Sequence, residues 1–507
     1  MVHRRERRNR RNRTCRLSVF PRFAPRTRLA LRRRRLRGVD ERRRHREDSH
    51  LSTLLHGLGE AWQHSFESDF AGPPTGPLVP DDSRVQQVLD LAMRVGEVML
   101  SSGEGVAETT AVMLRLADVG GLPFCEVDIT FTSITMCCHR GMSAPPVTTM
   151  RLVRYRSLDL TRLTDVGRLV RRVEGGELDF HDAATELDAV TRARHPYPRW
   201  LATLAWAGMA ASVAGLLGGG AAAAGVAFGA TGLIDRVGRL LNKAGLPFIF
   251  QQIAGAVLAT GLTAALLYFG LLPETTRPSL VIAAALTVLL SGLSVVSAVR
   301  DAIDGFYLTA AGRAGEITMF SAGLLAGVVL ALKVALFIGV EFAVASPLPS
   351  SNVSELVRLV AAGLAAGFFA LAGYSPVRYL PAAAATGAAG WVIFTLLSRA
   401  GFGPVVATGV AAIGLGVCAG LLRRWKGVPR LVVTLAGITP LLPGLAAYQG
   451  FYQLAVTGVA DGLVTIMVAL AIGLALASGV SLGEWLTARL PAHRIRAMTT
   501  APGPGAK

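Results

Sequence analysis

The stretch AGITPLLPGLAAYQGFY, Ala436 to Tyr452, sets prolines and glycines inside an otherwise apolar run. Proline removes an amide donor and glycine admits unusual dihedrals. Thr439-Pro440-Leu441-Leu442-Pro443-Gly444 therefore interrupts a helix that would otherwise cross a bilayer unbroken. A second stretch, SGLSVVSAVRDAIDGFY from Ser291 to Tyr307, is related to it. Gly292 matches Gly437, and Gly305-Phe306-Tyr307 matches Gly450-Phe451-Tyr452, at one ungapped offset of 145 residues.

Composition fixes the class around these two stretches. The 507 residues have a mean hydropathy of +0.45 and only 17% charged side chains. From Trp200 onward, apolar runs of spanning length follow one another with short gaps, the mark of a polytopic membrane protein. The net charge of +18 is local: residues 1–50 hold 20 Arg against 5 acidic residues. No nucleic-acid partner is implied. The run reads as a disordered tail near anionic lipid, an Arg-rich transit peptide or an over-extended gene start, and the first and last are preferred. It lacks the apolar core of a secretory signal. Cys15, Cys125, Cys137, Cys138 and Cys418 form no CxxC and read as small apolar residues of a reducing compartment. No metal or other cofactor is expected.

Five segments follow. Residues 1–80 are an Arg-rich extension and linker. Residues 81–198 are a soluble, cytoplasmic α+β domain, with two amphipathic helices, the strand FCEVDITFT, hairpin partners at SITMCCH and VTTMRLVRY, and two closing helices. Residues 199–345 and 346–490 each hold five spans, and residues 491–507 are a tail. The spans are placed at 199–217, 220–238, 248–270, 279–299, 315–339, 355–373, 379–398, 403–422, 428–446 and 461–482. Arg and Lys crowd the loops on the side of the α+β domain, while the other side holds only Arg277 and Arg399. The positive-inside rule then places both termini in the cytoplasm.

Five spans is an odd number, so two related five-span units face opposite ways across the membrane. LLNKAGLP at 240–247 and LLSRAGFGP at 396–404 reinforce the relation. Inverted repeats place transport sites at their interface near the midplane. A broken span is tolerated in a bilayer only where its freed groups are buried in protein or line a polar cavity. Two readings of the break stay open: a kink repaired by Thr439 bonding back within its helix, or a site holding an amino acid's ammonium and carboxylate. The candidate substrate path is Thr439, Pro440, Pro443, Gly444 and Gln449, with Ser294 opposite Thr439 by the repeat. Candidate proton-coupling or gating groups are Asp301, Asp304, Arg313, Glu316 and Asp461. Glu316 falls on Asp461 at the same offset, and helix capping explains that pair equally well. Lys333, inside the fifth span, snorkels or pairs with Glu341 or another carboxylate.

These residues resemble the threonine/serine exporter family over roughly residues 85–485. The similar stretches are LAMRVGEVMLSSGEGVAETTAVMLRLADVGG, LDLTRLTDVGRLVRRVEGGELDFHDAATELDAVTRARHPYP, SGLSVVSAVRDAIDGFYLTAAGRAGE and ITPLLPG. The Arg-rich extension has no counterpart. The resemblance implies a bacterial inner-membrane exporter of L-threonine and L-serine, driven by protons. A homo-oligomer is compatible with it. The competing readings are a hydrolase in the α+β domain and a passive channel or scaffold. Ser101, Ser102, His139 and Asp128 offer hydrolytic side chains without a nucleophile-elbow GxSxG. No GxxxxGK[ST] loop supports an ATP-driven pump.

Overall fold

The computed structural model describes residues 81–140, 144–153, 157–273, 276–289, 292–340, 354–426, 428–456 and 459–489. The Arg-rich extension, the C-terminal tail and Glu341 lie outside them. All the described residues belong to one compact unit, Pro73–Lys507.

The chain opens with an α+β layer. Helices α1 (Asp82–Ser101) and α2 (Val106–Val119) precede strands β1 (Cys125–Thr130), β2 (Ser133–Cys138) and β3 (Val147–Leu152). Helices α3 (Leu160–Glu174) and α4 (Phe180–Arg192) follow. The three strands form an antiparallel sheet in the order β1-β2-β3. Alternation buries Ile134, Met136 and Cys138 on one face of β2, where they join Met93, Met113, Leu116, Leu169 and Leu187 in the core. Asp159 caps α3 by accepting the Arg162 amide at 2.9 Å, and Gly175 follows its last turn.

Helices α5 (Arg199–Leu216), α6 (Ala221–Lys243), α7 (Phe248–Tyr268), α8 (Pro278–Leu289), α9 (Gly292–Ile303) and α10 (Tyr307–Phe337) come next. They are followed by α11 (Glu355–Ala372), α12 (Leu380–Arg399), α13 (Pro404–Lys426), α14 (Arg430–Ile438), α15 (Gly444–Val456) and α16 (Val459–Ala488). Helices α7, α10, α11, α12, α13 and α16 are long and apolar enough to cross a membrane, giving six spans among the described residues. Counting each bent pair, α8 with α9 and α14 with α15, as one span gives eight. Both pairs bend by 50°. Against the expected ten, α5 and α6 form helices at the first two positions without reaching that apolarity. Asp235, Arg236, Arg239 and Lys243 crowd the second half of α6. Large apolar side chains such as Leu330, Val334, Phe337, Met467 and Leu474 point outward from α10 and α16, as a lipid-facing surface requires.

The helix contacts of α5–α10 are repeated by α11–α16. Helix α5 packs on α6 and α8 as α11 packs on α12 and α14. Helices α7 and α10 pair as α13 and α16 do, and α5 meets α11. Helix α9 reaches across to α16, and α15 to α10. Small residues permit the closest of these approaches. A Cβ on Gly327 of α10 would lie 2.5 Å from the Ile253 carbonyl oxygen of α7, and one on Gly483 of α16 would lie 2.3 Å from that of Ile413 in α13.

The α+β layer docks on the helices through several contacts, and at two of these points a residue with positive φ takes part. The Phe131 amide donates to Thr309 Oγ1 at 2.9 Å, and that hydroxyl donates to the Ile129 carbonyl at 2.9 Å. Phe131 also covers Gly312, where a Cβ would come within 2.9 Å of its ring. At the second point, the Leu160 amide donates to the Gly373 carbonyl at 2.9 Å, Tyr197 Oη donates to that of Ser375 at 2.8 Å, and His195 stacks on Tyr374. Phe131 and Tyr374 are the non-glycine residues with positive φ among those described, at 51° and 57°. Their backbone strain is held by these contacts.

Candidate functional site

Three groups of cavities follow helix α14. At its start lies a vestibule of about 730 Å³ between the α+β layer and the helix ends. Charged side chains from both parts line it: Glu104 before α2, Glu108 and Arg115 on α2, Arg171 and Glu174 on α3, Arg300 on α9, Arg423 on α13, Arg430 on α14 and Glu484 on α16. Next comes a small cavity of about 30 Å³, lined by Ser297, Asp301, Leu435 and Ile438. It shares Arg300, Leu431 and Thr434 with the vestibule. Two cavities of about 410 and 210 Å³ then flank the break, sharing Thr287, Leu442, Pro443 and Gly444.

The ion pairs explain why so much charge is tolerated here. Arg300 reaches Glu484 at 2.6 Å, and Arg430 pairs with Glu108 while lying 4.0 Å from the same Glu484. Glu484 is only 7% exposed, so without these guanidiniums its charge would be costly. Arg115 pairs with Glu174 at 2.9 Å. Asp301, 1% exposed, faces Arg313 at 3.1 Å and accepts the Val106 amide at 3.4 Å. Val106 is the first residue of α2, whose N-cap Gly105 supplies no side chain. A carboxylate of the bent pair thus caps a helix of the α+β layer, where the dipole favours negative charge.

Two vestibule carboxyls are pushed apart. Burial, reinforced by the Glu108 charge, raises Glu104 above the usual range against Arg430 and Arg300. Burial also presses Glu108 upward, but the charge and hydrogen bond of Arg430, with Arg423 and Arg115, outweigh it and hold Glu108 low. Asp304, just beyond α9, has an exposed side chain whose carboxyl is still partly shielded from water by the helix ends, and this raises it against Arg300, with Asp301 and Glu484 adding to the rise.

Of the sequence candidates, Thr439, Pro440, Pro443 and Gly444 gather at the break and line its cavities. Thr439 Oγ1 donates to the Leu435 carbonyl at 2.9 Å, so its hydroxyl repairs the helix as the kink reading expects. A 3₁₀ turn at Thr439–Leu441 replaces the α-helix, and the Gly444 amide returns to the Leu442 carbonyl at 2.8 Å. Gly444 packs so closely that a Cβ would lie 2.6 Å from Thr287 Oγ1. Asp301 and Arg313 are brought together, and Asp304 lies nearby but exposed. Ser294 is exposed and lines none of these cavities, whereas Val295 and Ser297 beside it do. Gln449 and Glu316 are half-buried and Asp461 is exposed, also away from the cavity walls. Lys333 is exposed on α10. The proposed hydrolytic side chains serve local structure: Ser101 donates to the Val98 carbonyl, Asp128 accepts from Thr130, and His139 faces Glu126.

Sequence reasoning missed Glu104, Glu108, Arg430 and Glu484. Glu484 carried a weak signal, a carboxylate just past the end of the last apolar run at 461–482. Arg430 stood in view as a loop charge, and only the fold sets it against Glu108.

Two sequence-family models, both described as threonine/serine exporter, match the chain over residues 90–335 and 358–486. A Mycobacterium tuberculosis protein named "Probable threonine/serine exporter" is 39% identical over 433 residues, covering 84% of this chain and 81% of that protein. The "Threonine/serine exporter" of Corynebacterium glutamicum is 36% identical over 434 residues, 83% of this chain and 87% of its own. A Klebsiella aerogenes protein named "Probable succinate transporter subunit YjjP" is 24% identical over 252 residues, 50% of this chain and 95% of its own. No solved structure matches at comparable significance.

Proposed function

Because this chain belongs to the threonine/serine exporter family, we propose that it carries L-threonine and L-serine out of the cytoplasm, driven by the proton gradient. It is a multi-pass bacterial membrane transporter rather than an enzyme. The observation that carries the reading is the series of cavities along α14, which runs from a charged vestibule toward a broken span.

In this reading the α+β layer is cytoplasmic and the vestibule is the entrance. A zwitterion needs charges of both signs, and the vestibule wall offers them. Thr434 and Ser297 lead through the narrow cavity to the break, where Thr287, Thr439 and Thr408 present hydroxyls beside Pro443 and Gly444. The narrow cavity is the inner gate, closed here. Its movement must involve Asp301, which ties α9 to Arg313 and to α2. Asp301, Asp304 and Glu104 are the groups placed to exchange protons, with Glu316 and Asp461 as more distant partners.

The proposed architecture is ten spans in two inverted five-helix repeats, with α5 and α6 as the first two. The repeated pairing of α5–α10 and α11–α16 supports it, as do the equal 50° bends. Both termini are then cytoplasmic, in the inner membrane. The test is efflux of preloaded threonine from vesicles holding the purified protein, with and without an imposed proton gradient. The reading requires efflux that the gradient accelerates. Efflux indifferent to the gradient makes the same cavities a passive channel.

A further inference from the structure

The vestibule wall does not balance its own charge. Five guanidiniums face it, from Arg115, Arg171, Arg300, Arg423 and Arg430, against the carboxyls of Glu104, Glu108, Glu174 and Glu484. Three of those carboxylates are engaged, Glu174 by Arg115, Glu108 by Arg430 and Glu484 by Arg300. The fourth, Glu104, is raised by burial and its neighbour Glu108 against Arg430 and Arg300, and even with it counted as charged the guanidiniums outnumber the carboxylates. Arg171 and Arg423 form no ion pair among the described residues, and Arg423 lies within electrostatic reach of three cations, Arg430, Arg115 and Arg171, and of one carboxylate, Glu108, which Arg430 already engages. Guanidiniums stay charged at any physiological pH, so this excess is not relieved by losing protons.

The two side chains also come from different parts of the molecule. Arg171 stands in the last turn of α3 in the α+β layer, and Arg423 near the end of the apolar helix α13. Both are exposed to the cavity rather than folded into the packing. A guanidinium presents a planar fork of donors that matches a carboxylate, and two forks on one wall offer a carboxylate a pair of charge-assisted contacts.

We propose that Arg171 and Arg423 form a carboxylate-binding site in the vestibule, between the α+β layer and the helix ends, which takes small organic anions. The assignment rests on reading the vestibule as the cytoplasmic entrance. The carboxylate has two sources: the α-carboxylate of the exported amino acid, or a separate dicarboxylate that stays in the vestibule.

The experiment is equilibrium binding to the full chain in lipid nanodiscs, using threonine, threonine amide and succinate as probes. Wild type is compared with Arg171→Gln, Arg423→Gln and the charge-keeping Arg171→Lys. Each Gln variant is expected to weaken carboxylate binding at least about tenfold, the loss of a charged hydrogen bond, and Arg171→Lys to restore part of it. Both arginines are exposed, so their removal strands no buried partner, and an unchanged melting temperature confirms folding. Threonine binding that is lost in the amide assigns the site to the substrate's carboxylate. Succinate binding without threonine binding assigns it to a separate anion, and either result supports the site. Binding of both carboxylates unchanged by the Gln variants, or absent from wild type, overturns it. If the variants bind as wild type while gradient-driven efflux persists, only this site fails. If binding is lost as expected but wild type exports nothing, the transport reading fails instead.

Discussion

The two bent helix pairs share a 50° angle and differ in what flanks it. In α14–α15 the bend is written in the chain: Pro440 and Pro443 lack amide donors, and a 3₁₀ turn at Thr439–Leu441 fills the gap. In α8–α9 the only proline is Pro278, at the outset. That pair instead ends in charge, with Arg300 held by Glu484 and Asp301 by Arg313 and the Val106 amide. One pair carries its break in its own backbone, while the other has its far end tied to partners elsewhere. A proline break travels with its own chain, whereas an end tied by ion pairs depends on every partner.

Asp301→Asn is therefore the harshest test. It leaves Arg313, largely buried, without its countercharge, and breaking a buried pair costs about 3–5 kcal/mol. Melting temperature and efflux are both expected to fall. Next come Gly327→Val and Gly483→Val, which thrust a side chain into a carbonyl of the facing helix. Each is expected to lower stability by about 1–3 kcal/mol. Unequal losses, read by denaturant unfolding in detergent, would break the likeness between the α7–α10 and α13–α16 contacts. Pro443→Ala sharpens the contrast with Asp301→Asn. It returns an amide donor, so stability is expected to hold or rise while gradient-driven efflux falls about tenfold, roughly 1.4 kcal/mol in barrier.

A smaller effect separates the two vestibule glutamates by pH. The Glu104 carboxyl is raised, so its contribution to stability is present in acid and is lost as pH rises through its folded value. The Glu108 carboxyl is lowered, so its contribution is present above the unfolded value and is lost as pH falls through the folded one. Glu104→Gln should remove the loss on the alkaline side, and Glu108→Gln the loss in acid, in melting curves taken across pH. Ser294→Ala is the smallest change. The side chain is exposed and away from the cavities, so stability should shift by less than about 0.5 kcal/mol and efflux by less than twofold.

The same contrast explains what could be read in advance. Prolines, glycines and apolar periodicity are local signals, and they located the break at Thr439–Gly444, the three strands and the helices. Asp301 stood out in a polar cluster at the inner end of the fourth span, with Arg313 named beside it. Its other partner could not be named, because the Val106 amide lies nearly two hundred residues away along the chain. The vestibule was illegible for the same reason. Glu108, Arg430 and Glu484 look like ordinary terminal charges until the fold brings three distant helices together. Ser294 lies off the described cavity walls, because a linear offset fixes a position in the chain and leaves open which face of the helix it occupies.

Gradient-driven threonine efflux from vesicles containing wild-type protein or Pro443→Ala tests most directly whether the vestibule and the proline break form one path. The account predicts rapid, gradient-accelerated efflux from wild type, and slow efflux from a Pro443→Ala protein that melts no lower. Equal efflux from the two proteins would contradict it, leaving the break a structural kink beside a path that runs elsewhere.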